Sequence, residues 1–462
     1  MRPPPSLVAA AIAAGLPAQV TMTHLLEIDV ADAQSGIGDA VSAVAWTGTD
    51  LYVAGYNAST AARAVAINRL ASALGPAPAW GTPFGVQSSV PPQRGYINLD
   101  WNGATQQLAA GFDPGSPVPD GLTVRDANGA LLWQRAGRGS SGVAFDPGFP
   151  GGNPALGAGT AWARFGASGR ALQDALGNDV WDFATGMGLN VAGQGSFLRD
   201  LGFDPLTGDV YVRSSNNVFR GRRTGDNTCA MTLLVDAVDA DTINLQNVCF
   251  VRTSGGTVVL WNDRWAGASG QDWADVIQAV RPDGSPNAIV WGSFAAPASV
   301  GAYDFSFDPG TGTLAIADFG NRKVHIFVVG VAPYYAYGLG CPGQGNYFPE
   351  LSAAGALVPG LGGNLTYVLR QIAPLSLALV GLGLGTQSLP FGNGCTLLVD
   401  QIQVLLGPIV TGPGGAGSGM GGLPVTVPAG FPGFFIAAQG VVLENGSVAP
   451  LVWSNGVALI VP

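Results

Sequence analysis

A short pattern recurs six times in the first two thirds of the sequence and constrains its fold more than any other feature. Each copy has an apolar residue, any residue and an aromatic residue, followed by a turn and a second apolar stretch. The six copies are Val44-Ala45-Trp46, Leu99-Asp100-Trp101, Val143-Ala144-Phe145, Leu201-Gly202-Phe203, Val248-Cys249-Phe250 and Phe305-Ser306-Phe307. Their aromatic residues lie 55, 44, 58, 47 and 57 residues apart. A period of about 50 residues is typical of arrays in which each copy forms one supersecondary unit.

The residues that follow the pattern predict that each copy is a small antiparallel sheet. Second strands are predicted at Leu51-Tyr52-Val53, Leu108-Ala109-Ala110, Val210-Tyr211-Val212, Val258-Val259-Leu260 and Leu314-Ala315-Ile316. In the third copy, a Gly- and Pro-rich stretch over residues 147–159 delays the second strand. Four strands in about 50 residues match a propeller blade, which buries both faces only by stacking radially on its neighbours. The sequence therefore predicts an all-β chain with a six-bladed β-propeller over residues 20–332.

Two copies share nearly the same turn. Its residues are Phe203-Asp204-Pro205-Leu206-Thr207-Gly208 in one copy and Phe307-Asp308-Pro309-Gly310-Thr311-Gly312 in the other. Asp accepts hydrogen bonds from nearby backbone amides, Pro presets φ, and Gly supplies a positive φ. The shared chemistry predicts the same tight hairpin in both copies.

The last copy resembles an NHL repeat, the blade unit of a propeller family. The resemblance covers residues 314–327, with the sequence LAIADFGNRKVHIF, and is only pattern-level in the other five copies. It implies that the N-terminal strand completes the last blade and closes the ring. The segment from Val20 to Ile28 is the candidate for that strand.

Composition and charge exclude several classes of protein. The 70 Gly and 33 Pro would interrupt helices every few residues, which argues against a mostly helical fold. Charged residues make up 11% of the chain and the net charge is −10. The nearest approach to a basic cluster is Arg220, Arg222 and Arg223, which resembles a solvated edge. Because a phosphate backbone is recognised through basic patches, we expect no nucleic-acid partner.

The N-terminus indicates export. Residues 1–19 hold one Arg, an apolar run from Leu7 to Leu16 and a small residue, Ala18, near the expected cleavage position, which is the layout of a secretory signal peptide. The run is too short to span a bilayer, and we expect no transmembrane span. The protein is therefore predicted to be secreted or held at the cell surface.

Four cysteines fit an oxidising compartment. They fall into two pairs along the chain, Cys229 with Cys249 and Cys341 with Cys395. Four cysteines allow three connectivities, and the sequence does not choose strictly among them. Pairing within each half of the chain is the economical prediction.

Composition changes sharply after the repeats. Residues 331–462 hold four charges, Glu350, Arg370, Asp400 and Glu444, yet keep short apolar runs separated by Gly and Pro. This pattern predicts a C-terminal β-sandwich over residues 333–462.

The C-terminal segment resembles a domain that recurs at the C-terminus of predicted secreted proteins of planctomycete-type bacteria. The resemblance is carried by residues 337–343 (YGLGCPG), 394–399 (GCTLLV), 438–439 (AQ) and 454–459 (SNGVAL). It implies a bridge between Cys341 and Cys395 and an appended extracellular module. It implies no activity.

The residue before each triplet suggests a site in the central channel. These residues are Ala43, Asn98, Gly142, Asp200, Asn247 and Asp304. Four of them carry side-chain oxygen, which suits a polar ligand or a hard cation such as calcium. We predict a ligand site at the channel mouth that is formed by Asn98, Asp200, Asn247 and Asp304, with Arg199 beside Asp200. The alternative is that these oxygens cap turns at the strand starts.

The same region argues against catalysis. Gluconolactonase-like propellers place a carboxylate or amide four residues before the aromatic residue, whereas this chain has Ser42, Ile97, Ser141, Arg199, Gln246 and Tyr303 there, with no carboxylate. The two histidines, His24 and His325, lie in predicted strands outside any nucleophile elbow. Arg199 is expected to hold Asp200 ionised and lower its pKa, the wrong direction for a general acid.

Two functions follow from these features. The first is an exported, non-catalytic propeller without a cofactor, which binds an extracellular protein or glycan at the cell surface and uses its C-terminal module for display or attachment. The alternative is a propeller hydrolase or lyase that acts through a metal, such as calcium, in the central channel.

Overall fold

The computed structural model describes most of the chain after residue 19. The described residues are 20–59, 61–89, 94–113, 121–138, 141–149, 159–163, 171–173, 177–182, 198–204, 207–214, 217–226, 228–236, 248–253, 256–262, 277–291, 294, 302–309, 311–330, 334–338, 340–343, 347–358, 362–391, 395–411, 419–428, 435–444 and 451–460. The predicted signal peptide lies outside them, as do residues 331–333 at the predicted domain boundary.

The described residues up to 330 form strands and one four-residue helix, α1 (Asp32–Ser35). The strands are β1 (Val20–Asp29), β2 (Ala40–Trp46), β3 (Leu51–Asn57), β4 (Arg63–Ala71), β5 (Ala79–Trp80), β6 (Phe84–Ser89), β7 (Arg94–Asn102), β8 (Gln107–Asp113), β9 (Gly121–Asp126), β10 (Leu131–Ala136), β11 (Gly142–Phe145), β12 (Thr160–Ala163), β13 (Ala171–Gln173), β14 (Asp179–Asp182), β15 (Leu198–Phe203), β16 (Val210–Ser214), β17 (Asn217–Gly225), β18 (Thr228–Asp236), β19 (Val248–Thr253), β20 (Gly256–Asn262), β21 (Ile277–Val280), β22 (Pro286–Asn287), β23 (Ile289–Val290), β24 (Ala302–Asp308), β25 (Thr313–Asp318) and β26 (Lys323–Gly330).

Each copy of the repeat forms one unit of paired strands, called a blade below. The pairing is antiparallel except for β23, which lies parallel to β1, and β3 also pairs with β7 over two residues, which joins the first two blades. Blade 1 is β2–β6, blade 2 is β7–β10, blade 3 is β11–β14, blade 4 is β15–β18, blade 5 is β19–β22, and blade 6 is β24–β26 with β1 and β23. The first strands, β2, β7, β11, β15, β19 and β24, contact one another in this order, and β24 contacts β2. These strands therefore form a closed ring, and the predicted all-β propeller class is confirmed.

The N-terminal strand closes the ring, as the resemblance implied. β1 pairs antiparallel with β26 from Thr21 opposite Gly330 to Asp29 opposite Lys323. The side chains of Val20 and Met22 are fully buried among apolar residues of blades 5 and 6. β1 therefore both pairs the edge of β26 and adds to the packing between blades.

The described residues of the repeated turn share a backbone hydrogen bond and a Gly with positive φ in both copies. The N–H of Gly208 donates to the carbonyl of Asp204 (2.8 Å), and the N–H of Gly312 donates to that of Asp308 (2.9 Å). Both glycines have positive φ, 70° and 67°. The hairpins β15–β16 and β24–β25 therefore start from the same geometry.

The described residues from 334 onward form ten strands. They are β27 (Tyr334–Tyr337), β28 (Glu350–Val358), β29 (Gly362–Ile372), β30 (Leu377–Gly383), β31 (Gly385–Phe391), β32 (Cys395–Asp400), β33 (Val404–Val410), β34 (Gly419–Val427), β35 (Phe435–Leu443) and β36 (Leu451–Ile460). A five-stranded sheet, β27-β36-β35-β30-β33, packs against a three-stranded sheet, β28-β29-β34, and β31 pairs with β32. The buried core between the two larger sheets makes this region a sandwich.

One of the two predicted disulfides is present. Cys341 and Cys395 are bonded, with Cα atoms 4.4 Å apart, and both are buried in the core of the sandwich. The predicted bond between Cys229 and Cys249 is wrong, because both are free. Cys249 lies on β19 in the ring of first strands, whereas Cys229 lies on β18, the outermost strand of blade 4. The two residues belong to different blades and to opposite ends of the strand order.

The sandwich exposes a row of apolar side chains. Four exposed apolar residues form a row across neighbouring strands of the five-stranded sheet: Val410, Leu377, Leu443 and Leu451. Of the three arginines predicted to form a solvated edge, Arg222 is exposed, whereas Arg220 pairs with Asp209 and the buried Arg223 pairs with Asp146. Within the described part of the chain, no helix is long and apolar enough to cross a membrane.

Candidate functional site

All six aromatic residues of the repeat meet at one opening of the ring. Trp46, Trp101, Phe145, Phe203, Phe250 and Phe307 all line a single cavity of about 690 Å³. Five of them are the last or next-to-last residue of a first strand, and Phe250 is the third residue of β19. The ring of first strands brings all six to the same cavity. The name mouth is used below for this cavity. A feature that repeats along the sequence thus becomes the wall of one site.

Contacts between blades hold these rings in place. The indole N–H of Trp46 donates to the hydroxyl of Thr313 in blade 6 (2.6 Å). Trp101 stacks on Tyr52 of blade 1 with ring centroids 5.3 Å apart. Trp101, Phe145 and Phe250 are only half-buried, so their rings present apolar surface to the mouth.

Hydroxyl, amide and charged groups complete the lining. Thr47, Thr49, Asn102, Thr105 and Gln106 contribute neutral polar side chains. Such groups both donate and accept hydrogen bonds, which is the chemistry needed for a ligand with many hydroxyl groups. The mouth is therefore amphipathic, with apolar ring faces beside neutral polar groups.

Four carboxylates also line the mouth, and three of them have side-chain partners. Arg69 donates to Asp50 (3.0 Å). Arg223 forms a bidentate pair with Asp146, at 2.9 Å for each bond. The carboxylate of Asp308 accepts from both the backbone N–H and the hydroxyl of Thr311.

Asp100 is the fourth carboxylate, and it is held differently. It accepts hydrogen bonds from two backbone groups, the N–H of Trp101 (2.9 Å) and that of Phe145 in blade 3 (2.6 Å). Burial raises the pKa of Asp100 to about 7, and the two hydrogen bonds offset only part of that effect. Asp100 can therefore exchange a proton near neutral pH.

A narrow cavity continues below the mouth along the ring axis. Its volume is about 90 Å³, and it shares Asp100 and four of the aromatic residues with the mouth. Its deeper lining includes Asn98 and Asp200. Two of the sequence-predicted site residues therefore border the channel, below the opening rather than at it.

The structure brings three predicted site residues together. The amide nitrogen of Asn98 donates to Oδ1 of Asp200 (3.3 Å) and to Oδ1 of Asp304 (3.1 Å). All three side chains are buried, at 4%, 2% and 0% exposure. They come from blades 2, 4 and 6, so alternate blades supply the polar groups at the axis.

The same three side chains also bind the next blade in the ring. Asp304 accepts from the N–H of Val44, and Asp200 from that of Val248, both at 2.9 Å. Asn98 accepts from the N–H of Val143 (3.2 Å). These oxygens therefore link first strands across blades. Asp200 and Asp304 also accept from the next N–H of their own strands, those of Leu201 (2.8 Å) and Phe305 (2.9 Å). Ligand binding by these residues stays a prediction.

Small residues in the intervening blades make room for this cluster. A Cβ atom added at Gly142 would lie 2.9 Å from both Cα and Oδ1 of Asp200. Blade 1 has Ala43 at the corresponding position. Asn247, the predicted site residue of blade 5, lies outside the described residues.

The expected effect of Arg199 on Asp200 is wrong. Burial raises the pKa of Asp200 to about 7, and the negative charge of Asp100 raises it further. Hydrogen bonds from the N–H groups of Val248 and Leu201 act in the opposite direction. Arg199 is half-buried on β15, and the loss of solvent around Asp200 outweighs any opposite charge nearby.

Cys249 and the two histidines are further titratable groups of the propeller. Burial and the charges of Asp200 and Asp304 raise the pKa of the Cys249 thiol. His24 and His325 contact each other across β1 and β26, with 3.3 Å between Nε2 and Nδ1. Among the described residues, no three His, Cys, Asp or Glu side chains are placed to hold a metal ion.

Sequence reasoning missed Asp100 and the aromatic mouth. The sequence does carry a signal for Asp100, which is the middle residue of its triplet. The middle residues of the other five triplets are uncharged: Ala45, Ala144, Gly202, Cys249 and Ser306. The aromatic residues were identified as a repeat feature and not as a site, because their convergence follows from ring closure.

Comparisons with known proteins give similarities at low identity. No protein-family model and no curated protein matches the chain. Among solved structures, regucalcin from Agrobacterium tumefaciens, described as a calcium-binding protein, is 12% identical with a TM-score of 0.38, over 66% of this chain and 94% of that one. A mutant of the Bombyx mori GH32 beta-fructofuranosidase in complex with sucrose is 11% identical with a TM-score of 0.31, over 95% and 93%. Raptor from Chaetomium thermophilum is 11% identical with a TM-score of 0.33, over 66% and 29%.

Proposed function

We propose that this chain is an exported, non-catalytic binding protein whose ligand is a glycan held in the mouth. The observation that carries the proposal is the convergence of all six repeat aromatic residues on one cavity of about 690 Å³. Ligand sites are concave, largely apolar and furnished with a few polar groups, and they fall in this size range. The mouth has each of these properties.

The lining favours a glycan over a flat protein surface. Aromatic rings offer large apolar faces with few rotatable bonds, and the half-buried Trp101 and Phe250 present such surface inside a concave site. The neutral side chains of Asn102, Thr105 and Gln106 can both donate to and accept from sugar hydroxyls. A protein partner would instead need a broad exposed surface.

Export and surface attachment complete the proposal. The disulfide between Cys341 and Cys395 supports an oxidising compartment. The row of exposed apolar residues on the sandwich supports a role of that region in display or attachment. N-terminal sequencing of protein recovered from its native host should find a start near residue 19 or 20, and an intact Met1 would contradict export.

The experiment that tests glycan binding is a glycan array followed by titration calorimetry on the best binder. Replacing Trp101 by Ala removes a ring that faces the mouth and should weaken binding at least tenfold. Trp80→Ala is the matched control, because Trp80 is half-buried in blade 1 and does not line the mouth. Equal affinities for the two variants would contradict the proposal, as would an array with no binder.

One observation favours the second candidate, a hydrolase or lyase. Catalysis near neutral pH needs a group that exchanges protons there, and the pKa of Asp100 is raised to about 7 at the floor of the mouth. If the protein cleaves its glycan, incubation should release shorter products, and Asp100→Asn should abolish their release. If the glycan is still intact after prolonged incubation with the wild type, the hydrolase or lyase candidate is contradicted and only the binding function remains.

A further inference from the structure

Asp100 is the carboxylate of the mouth that has no side-chain partner among the described residues. Asp50 and Asp146 are paired with arginines, and Asp308 is bonded to Thr311. Asp100 accepts only from the backbone N–H groups of Trp101 and Phe145. The site therefore holds an acid whose negative charge no protein cation balances.

The surroundings of Asp100 also favour a cation. Trp101 follows it in the chain, Phe145 donates its backbone N–H to it, and Phe250 lines the same two cavities as Asp100. The face of an aromatic ring carries negative potential, which attracts ammonium groups, most strongly where water is excluded. A cation in the mouth would thus meet ring faces and a carboxylate together.

The charged groups around Asp100 add to this preference. Asp200 and Cys249 line the narrow cavity below it, and the negative charge of Asp100 raises the pKa of both. Around the mouth, Asp50 and Asp146 are neutralised by their arginines, while Asp308 adds negative charge. No element that borders the cavity brings an unpaired described cation toward Asp100.

From this arrangement we infer that the mouth selects glycans built from amino sugars with a free ammonium group, which pairs with Asp100 against the aromatic rings. The inference rests on the proposed glycan-binding function and names its ligand class. Neutral hydroxyl and amide groups of Asn102, Thr105 and Gln106 then serve the sugar hydroxyls. Pairing with the ammonium group holds Asp100 ionised, so binding releases the proton that Asp100 carries below about pH 7.

Two ligands that differ only at the amine test the inference. Titration calorimetry compares a glucosamine tetramer, with free amines, with the N-acetylglucosamine tetramer, whose amides are neutral. The wild type should bind the free amine at least tenfold more tightly at pH 6. Equal or tighter binding of the acetylated tetramer would overturn the inference and leave the proposed glycan binding intact.

Proton release identifies Asp100 as the partner. At pH 6, titrations in buffers of different ionisation enthalpy should show release of roughly one proton per amine ligand bound, since Asp100 starts protonated. Asp100→Asn should abolish the release and reduce the preference for the amine to less than twofold. Asp400→Asn makes the same substitution at an exposed position in the sandwich and should change neither the proton release nor the preference.

Each remaining outcome also decides the question. Proton release by the wild type is measured without any variant, so it tests the role of Asp100 even if Asp100→Asn does not fold. A wild type that binds the amine tetramer without releasing protons contradicts the inference. A pentalysine peptide that binds as tightly as the amine tetramer would assign the cation to a protein partner and overturn the ligand class. A wild type that binds neither tetramer nor any other glycan would refute the proposed function itself.

Discussion

Removing the side chain of Asn98 should destabilise the ring far more than its size suggests. Asn98→Ala deletes three buried hydrogen bonds, two donated to the carboxylates of Asp200 and Asp304 and one accepted from the N–H of Val143. The stranded N–H costs about 1–3 kcal/mol, and each lost bond to a carboxylate adds about 1 kcal/mol. The two carboxylates keep their backbone donors, so the expected loss is about 3–5 kcal/mol.

Urea unfolding at pH 7, followed by tryptophan fluorescence, measures this loss. The matched control is Asn102→Ala on the same strand, because its side chain accepts only from exposed loop amides, those of Ala104 and Thr105. The control should lose about 1 kcal/mol or less. If Asn98→Ala loses no more than the control, the cluster at the axis does not hold the blades together, and the reasoning is refuted.

Three further predictions concern closure, pH and the disulfide. Deleting Val20–Asp29 exposes the edge of the last blade and should lower the melting temperature by many degrees, whereas an unchanged melt would mean that another strand closes the ring. The folded-state pKa of Asp100 and Asp200 is raised from 3.8 to about 7, so their contribution to stability is full below about pH 4 and is lost as the pH rises through 7. Unfolding measured from pH 5 to pH 8 should show this fall, and Asp100→Asn should reduce it to the part that Asp200 contributes. Replacing Cys341 and Cys395 by Ser opens a loop of 54 residues and should cost about 4 kcal/mol, while a loss below 1 kcal/mol would contradict the chain-entropy argument.

Much of the fold could be predicted because it depends on local chemistry. Alternation and turn residues gave the strands, and the Asp-Pro turn with Gly208 or Gly312 gave the hairpins. The closing strand and the bridge between Cys341 and Cys395 followed from resemblances carried by particular residues. The number of six blades remains a prediction that the ring of first strands supports.

The rest could not be predicted because it depends on neighbours from other blades. Cys229 and Cys249 are 20 residues apart, yet they lie at the outer edge of one blade and the inner edge of the next. Arg199 adjoins Asp200 in sequence, but burial at the axis decides the pKa of that carboxyl. Asp100 became a candidate only when its position on the cavity floor was known.

A crystal structure of the protein with the best glycan from the array tests the central claim most directly. The account predicts density for the sugar in the mouth, with rings against Trp101 and Phe250 and an amine within hydrogen-bond distance of Asp100. Sugar bound between two blades at the outer rim, or on the sandwich, with the mouth filled by water, would contradict it.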